Sequence, residues 1–189
     1  MIHDIGAIAK KAGLGNVLYG RKSAAAVRER LEPEFVEIRK GGVEVLDFSR
    51  IEIVDFSAAD EIVAKLAGRM EHGEYGEGSI ALMGCNDTVR ENLDVALTQK
   101  DLCCMHVDGK KKWSLVGNLN PYLRDTLELC MRGGTLLARD LSRELKLKLN
   151  TASTRLINLF NKHLVLRKED PETKIGREFT YCSLLSAVE

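Results

Sequence analysis

Apolar residues crowd into two nearly continuous short runs, "GGVEVLDF" at residues 41–48 and "IALMG" at 80–84. Runs of this length, flagged by glycine, read as buried central strands. Between them "SAADEIVAKLAGRM" repeats its apolar positions at helical spacing and predicts an amphipathic helix. Upstream, "MIHDIGAI" and "NVLYG" read as two short strands joined by a Gly-containing loop. "RKSAAAVRERLE" is rich in strong helix formers, and Pro33 limits its continuation. "HGEYGEGS" is a polar, Gly-rich loop, "NDTVRENLDVALTQK" a helix capped by Asn86 or Asp87, and "LCCMHVD" a final strand. The resulting order, β-β-α-β-α-β-α-β within about 108 residues, predicts one small α/β layer domain.

A lysine run in "GKKKWSLVGNLN" marks the boundary, placed near Gly117, so the expected domains are 1–117 and 118–189. Beyond it the character changes to α+β. "PYLRDTLELCMRGG" opens with Pro121 in a first-turn position and ends on a glycine pair. "TLLARDLSRELK" follows with Thr135 as its expected cap, and "NTASTRLINLFNKHL" follows the short "LKL" turn. "VLRKEDPETKIGREFTYCSL" then predicts a hairpin whose charged tip holds Pro171 and Gly176. Helix, helix, short turn, helix and hairpin form the winged helix-turn-helix order.

On a wheel of ~100° per residue, Ala152, Leu156, Leu159, Phe160 and His163 share one face of the third helix. Thr151, Thr154, Arg155, Asn158 and Lys162 share the other, which is polar and free of acids. Arginine suits guanine edges, asparagine suits adenine and hydroxyls suit phosphate, whereas a carboxylate there would repel a duplex. An ordinary solvated helix face has the same pattern; the preceding helix, the short turn and the basic hairpin favour the nucleic-acid reading. Lys168, Lys174 and Arg177 are the hairpin candidates for phosphate contact, beside Arg167 and in the company of four acids.

Net charge over the chain is zero, but residues 1–117 carry a net −3 and residues 118–189 a net +3. The asymmetry is modest and has the sign a C-terminal nucleic-acid module needs. The N-terminus is not that of a signal peptide, and no stretch approaches the ~20 apolar residues of a membrane span. Five cysteines without Cys-x-x-Cys spacing suggest reduced thiols in a cytoplasm.

Residues 120–184, notably "LARDLSRELKLKLNTASTRLINLFNKHLVLRKED", resemble winged helix-turn-helix transcription regulators. The resemblance implies contact with double-stranded DNA through residues 150–177, and, as in many such families, homodimers. At 163–165 the chain has His-Leu-Val where relatives commonly begin with Gly. Residues 1–108 resemble STAS domains, the fold of anti-sigma factor antagonists, through "GGVEVLDFSRIEIVDFSAADEIVAKLAGRM" and "SIALMGCNDTVRENLDVALTQKDLCCMHVD". They are similar in particular to a STAS-like group with "GR" before the first helix, here Gly20-Arg21, and "FADE" in the loop helix, here Ala58 to Glu61. That resemblance implies a regulatory loop at Asp55, Ser57 and Asp60 and a regulatory protein, or self-association, as partner. In phosphorylatable antagonists the hydroxyl directly follows the Asp; here Phe56 intervenes, turning Ser57 by ~100°. Asp55 or Ser57 alternatively serves as an N-cap, with Asp60 and Glu61 favourable near the helix dipole's positive end.

Three other chemistries lack their residues. "GNVLYGRKS" (15–23) approaches the phosphate-binding G-x-x-x-x-G-K-[ST] pattern, but Arg21 holds the lysine position and Lys22-Ser23 arrive one residue late. Cys103, Cys104 and His106 lack metal-ligand spacing, since strand alternation separates Cys103 from the other two. No Ser/His/Asp or Cys/His set assembles, so neither an enzyme nor a cofactor is expected. The expected function is a cytoplasmic DNA-binding transcription regulator with a STAS-like signalling domain. The alternative is a non-enzymatic adaptor of partner-switching type, its winged helix used for docking or dimerisation.

Overall fold

A computed structural model describes residues 1–36, 38, 41–108, 112–169 and 179–188. The chain divides into two units, Met1–Leu119 and Asn120–Glu189.

The first unit is mixed α/β, built on a five-stranded, mostly parallel sheet in the order β1-β3-β5-β6-β7. Its strands are β1 (Ile2–Asp4), β3 (Val43–Asp47), β5 (Ser79–Met83), β6 (Cys103–Val107) and β7 (Trp113–Gly117). The first four run parallel, and β7 returns antiparallel along β6. One register row, Ile2–Val45–Ala81–Met105–Leu115, crosses the whole sheet. The first four residues of β3 and of β5 are buried. Strands covered on both faces lose the apolar–polar alternation, which explains why both read as continuous runs. A separate parallel pair, β2 (Val17–Leu18) with β4 (Ile53–Val54), stands beside this sheet.

The segment expected as one strand, "MIHDIGAI", is β1 followed at once by helix α1 (Ile5–Lys11). Asp4 accepts a hydrogen bond from the Ala7 amide and starts the helix. Pro33 does not end α2, which runs from Arg21 to Val36. The turn beyond the proline is held by fully buried Phe35, which stacks on His3 (5.9 Å) and meets Tyr75 edge-on (5.6 Å). Packing here outweighs the hydrogen bond a proline forgoes.

The loop helix is α3 (Phe56–Ala59), a π-helical turn (Asp60–Ala64) and α4 (Lys65–Glu71). All five residues of the π turn are buried. Asn86 caps α5 (Asp87–Thr98): its carbonyl accepts from the Val89 amide, and its amide donates to the carbonyls of Ile51 and Glu52.

The second unit runs α6 (Pro121–Gly133), β8 (Thr135–Leu136), α7 (Ala138–Glu144), α8 (Leu149–Asn161), β9 (Val165–Glu169) and β10 (Phe179–Ser183). Its three strands form an antiparallel sheet in the order β8-β10-β9. Thr135 is therefore not a helix cap: Thr135 and Leu136 pair with β10, and α7 begins after Leu137 without a side-chain cap. Leu123, Leu127, Leu141, Ala152, Leu156 and Leu159 are buried between the helices. The α7–α8 turn is tight: Lys146 takes a left-handed φ of 51°, and the Ser142 hydroxyl donates to the Leu147 carbonyl at 2.7 Å.

Candidate nucleic-acid interface

Helix α8 buries Ala152, Leu156 and Leu159 and turns its polar face outward. Along that face runs a shallow cleft of about 460 Å³ lined by Tyr122, Asn150, Thr151, Thr154, Arg155 and Asn158. Among the described residues no carboxylate lines it. Four of the five expected helix residues meet there: Thr151, Thr154, Arg155 and Asn158. The fifth, Lys162, does not line the cleft. Its backbone amide closes the helix onto the Asn158 carbonyl, and the residue is half-buried.

Two lining residues escape a reading of α8's wheel. Asn150 precedes the segment read as helix face, and its carbonyl accepts the Thr154 hydroxyl at 2.9 Å. Tyr122 comes from α6, where no local periodicity signals it. Its ring lies 5.1 Å from the Arg155 guanidinium carbon, and its carbonyl accepts from Arg155 Nη1 at 3.4 Å. A cation held over an aromatic face is worth about 0.5–1 kcal/mol at an exposed site, enough to bias the arginine toward one orientation.

In the hairpin, Lys168 is exposed on β9. Arg167 is committed elsewhere: its guanidinium lies 4.0 Å from the Phe160 ring and 4.6 Å from the Phe179 ring, clamping α8 to the sheet. Lys174 and Arg177 fall outside the described residues. His163 has φ +54°, the left-handed conformation that glycine adopts most readily. The Gly-to-His departure thus falls at a position of left-handed backbone.

In the first unit, the loop after β4 is built around Asp55. Its carboxylate accepts from the Ala58 amide at 2.7 Å and from the Gly20 amide at 3.1 Å to each oxygen. Of the two caps the sequence allows, Asp55 is the one formed. Ser57 lies in the first turn of α3, half-buried, with no hydroxyl hydrogen bond among the described residues.

Asp60 does not share the loop's exposure. It is 3% exposed and pairs with Arg21 at 2.9 Å and Lys100 at 2.5 Å. Glu61, also buried, takes Arg28 Nε at 3.0 Å and Lys65 Nζ at 2.8 Å. Its burial pushes the carboxyl pKa up, but hydrogen bonds and charge from Lys65 and Arg28 outweigh this and hold it below 4.5.

The phosphate-cradle reading of "GNVLYGRKS" meets a physical obstacle. Gly20, at φ +77°, turns its amide onto Asp55, so a carboxylate of the chain occupies that donor. The Ser23 hydroxyl donates to the carbonyls of Tyr19 and Gly20. Around Cys103, Cys104 and His106, burial pushes the Cys104 thiol far up and His106 down. Among the described residues no three His, Cys, Asp or Glu side chains gather as a metal site. No described helix is long and apolar enough to cross a membrane. Comparison with family models, curated proteins and solved structures returns no match.

Proposed function

We propose that the chain is a non-enzymatic DNA-binding regulator whose second unit is a winged helix-turn-helix and whose first is a STAS-like domain. The observation that carries this reading is the acid-free cleft along α8. Support comes from the order α6-β8-α7-α8-β9-β10 and the tight α7–α8 turn, which suit a second helix entering the major groove by its N-terminal half. Thr151 and the unbonded side-chain capacity of Asn150 and Asn158 then face the duplex. Arg155, stacked on Tyr122, is the base-reading candidate. Lys168 is a phosphate contact, which positions without reading sequence.

Fluorescence-anisotropy titration of the full chain with duplexes, first random and then selected, tests this across a salt series. Arg155→Ala is expected to cost about 1–3 kcal/mol on a selected site and to relax specificity there. Tyr122→Ala should weaken the same site by a smaller factor, because it frees Arg155 without removing it. Lys168→Ala should weaken all sequences alike and reduce the salt slope by about 1. Absence of binding at low salt, or equal loss on every sequence for Arg155→Ala, would sink the base-reading role.

A second reading, the interaction adaptor, draws on one feature of the first unit. Val17 and Ile53 are register partners across β2 and β4 and are 44% and 43% exposed, with Tyr19 at 76% beside them. This apolar group adjoins the Asp55 loop and suits a second copy of the chain or a regulatory protein. It predicts concentration-dependent self-association in sedimentation equilibrium that persists at high salt and is lost in Tyr19→Ser/Ile53→Ser. A monomer at all concentrations would remove self-association from this reading.

A further inference from the structure

A second cavity lies in the first unit. It measures about 630 Å³ and is lined by Gly6, Ala7, Lys10, Lys11, Leu14, Gly15, Asn16 and Arg50. That volume falls within the ~300–1,000 Å³ of small-molecule sites. It opens where α1 follows β1 and where the loop bearing Arg50 follows β3, beside the carboxyl ends of two adjacent parallel strands. Ligands of open α/β sheets gather at that end of the strands.

Among the described residues that line it, three are cations and none is an acid. Arg50, its side chain 70% exposed, pairs with Asp4: Asp4 Oδ2 lies 3.1 Å from its Nη1, while Asp4 Oδ1 accepts the Ala7 amide. A Cβ on Gly6 would come within 2.6 Å of the Arg50 Cβ, so glycine lets the arginine stem lie directly on α1. Asp4 offsets one charge from outside the lining. Lys10 and Lys11, both exposed, have no ion-pair partner among the described residues. The rest of the wall, Gly6, Ala7 and Leu14, presents carbon, with the Asn16 amide as a neutral polar group.

We propose that this cavity binds a small organic anion with an apolar body, its carboxylate, sulfonate or phosphate ester between Lys10, Lys11 and Arg50 and its body over Ala7 and Leu14. The site is independent of the DNA reading and supplies the first unit with a small-molecule signal.

The probe is anilinonaphthalene sulfonate, titrated by fluorescence into the full chain beside phenylnaphthylamine, which has the same rings without the charge. The wild type is expected to bind the sulfonate saturably and more tightly than the neutral amine. Lys10→Ala/Lys11→Ala should weaken the sulfonate about tenfold, or about 1.4 kcal/mol, and leave the amine unchanged. Ala7→Leu, which fills the cavity without altering charge, should weaken both. Amide chemical shifts of the wild-type protein should move at Gly6, Gly15 and Asn16, a readout that does not depend on any variant folding. Non-saturable binding, equal affinity for the two dyes, no effect of the lysine pair, or shifts confined to other residues would each overturn the proposal.

Discussion

Arg28→Met is expected to lower the unfolding free energy by about 3 kcal/mol, the low end of what breaking a buried ion pair costs. The Arg28 side chain is only 10% exposed and meets three acids, Glu61 through Nε, Glu32 through Nη1 and, at 3.8 Å, the exposed Glu29 through Nη2. Methionine has nearly the same length and packs in the same space, so the expected loss is electrostatic rather than a cavity. Glu32 keeps Arg69 as a partner. Glu61, at 5% side-chain exposure, keeps only Lys65, and its charge stays buried with less compensation. Adding Glu61→Leu should return most of the stability, because an apolar replacement of the whole pair removes the desolvation cost along with the attraction.

The same network sets a pH dependence. Glu61 titrates below 4.5 in the folded protein because cationic partners overcome its burial. A carboxyl depressed on folding stabilises fully above its unfolded pKa, and that contribution fades as pH falls through the folded value. The gap between wild type and Arg28→Met should therefore be full near neutral pH and narrow below about pH 4.5. Urea midpoints at the two pH values measure it. Equal midpoints at neutral pH, or a gap that does not narrow in acid, would remove the buried network from the account.

The π turn that creates this network shows where sequence reading stops. Asp60 and Glu61 are adjacent acids, which on a regular helix begin as a favourable first turn near the dipole. Within the π turn both are buried, one paired with Arg21 and Lys100, the other with Arg28 and Lys65. Nothing in local composition announces four cations arriving from α2, from α4 and from beyond α5. By contrast β3 and β5 were legible, because burial on both faces leaves an unbroken apolar run. The Asn86 cap was legible for an equally local reason: the capping bond, from the Val89 amide to the Asn86 carbonyl, spans three residues.

Three misreadings share a cause. β1 and α1 merge in one apolar stretch, and only the bond from Asp4 to the Ala7 amide separates them. Pro33 is a strong local breaker that loses to a distant ring, Phe35 buried against His3 and Tyr75. Thr135 looks like a cap, yet it pairs with Cys182, some 47 positions later. In the α8 cleft the helix wheel supplied Thr151, Thr154, Arg155 and Asn158, whereas Tyr122 arrives from another helix. Local periodicity thus finds one wall of a site and misses what the fold brings to it.

Asp55→Ala is expected to cost about 2–3 kcal/mol, more than an N-cap alone, which is worth about 0.5–2 kcal/mol. The excess comes from Gly20. Its amide has Asp55 as acceptor at 3.1 Å, and alanine would leave that donor half-buried without a partner. One carboxylate therefore starts α3 and ties the turn before α2 to it. Asp55→Asn should recover part of the loss, since one amide oxygen still accepts from Ala58 while its NH₂ group faces the Gly20 donor. Ser57→Ala should change stability by less than about 0.5 kcal/mol, as for a side chain without special partners. Thermal or urea unfolding of the three variants separates the roles. If Ser57→Ala proved as costly as Asp55→Ala, the hydroxyl would have a structural partner and the cap would be shared. The expected ranking instead leaves Ser57, which has no hydroxyl hydrogen bond among the described residues, a polar group whose chemistry the fold does not consume. A substitution at Ser57 therefore probes the loop without first breaking the scaffold.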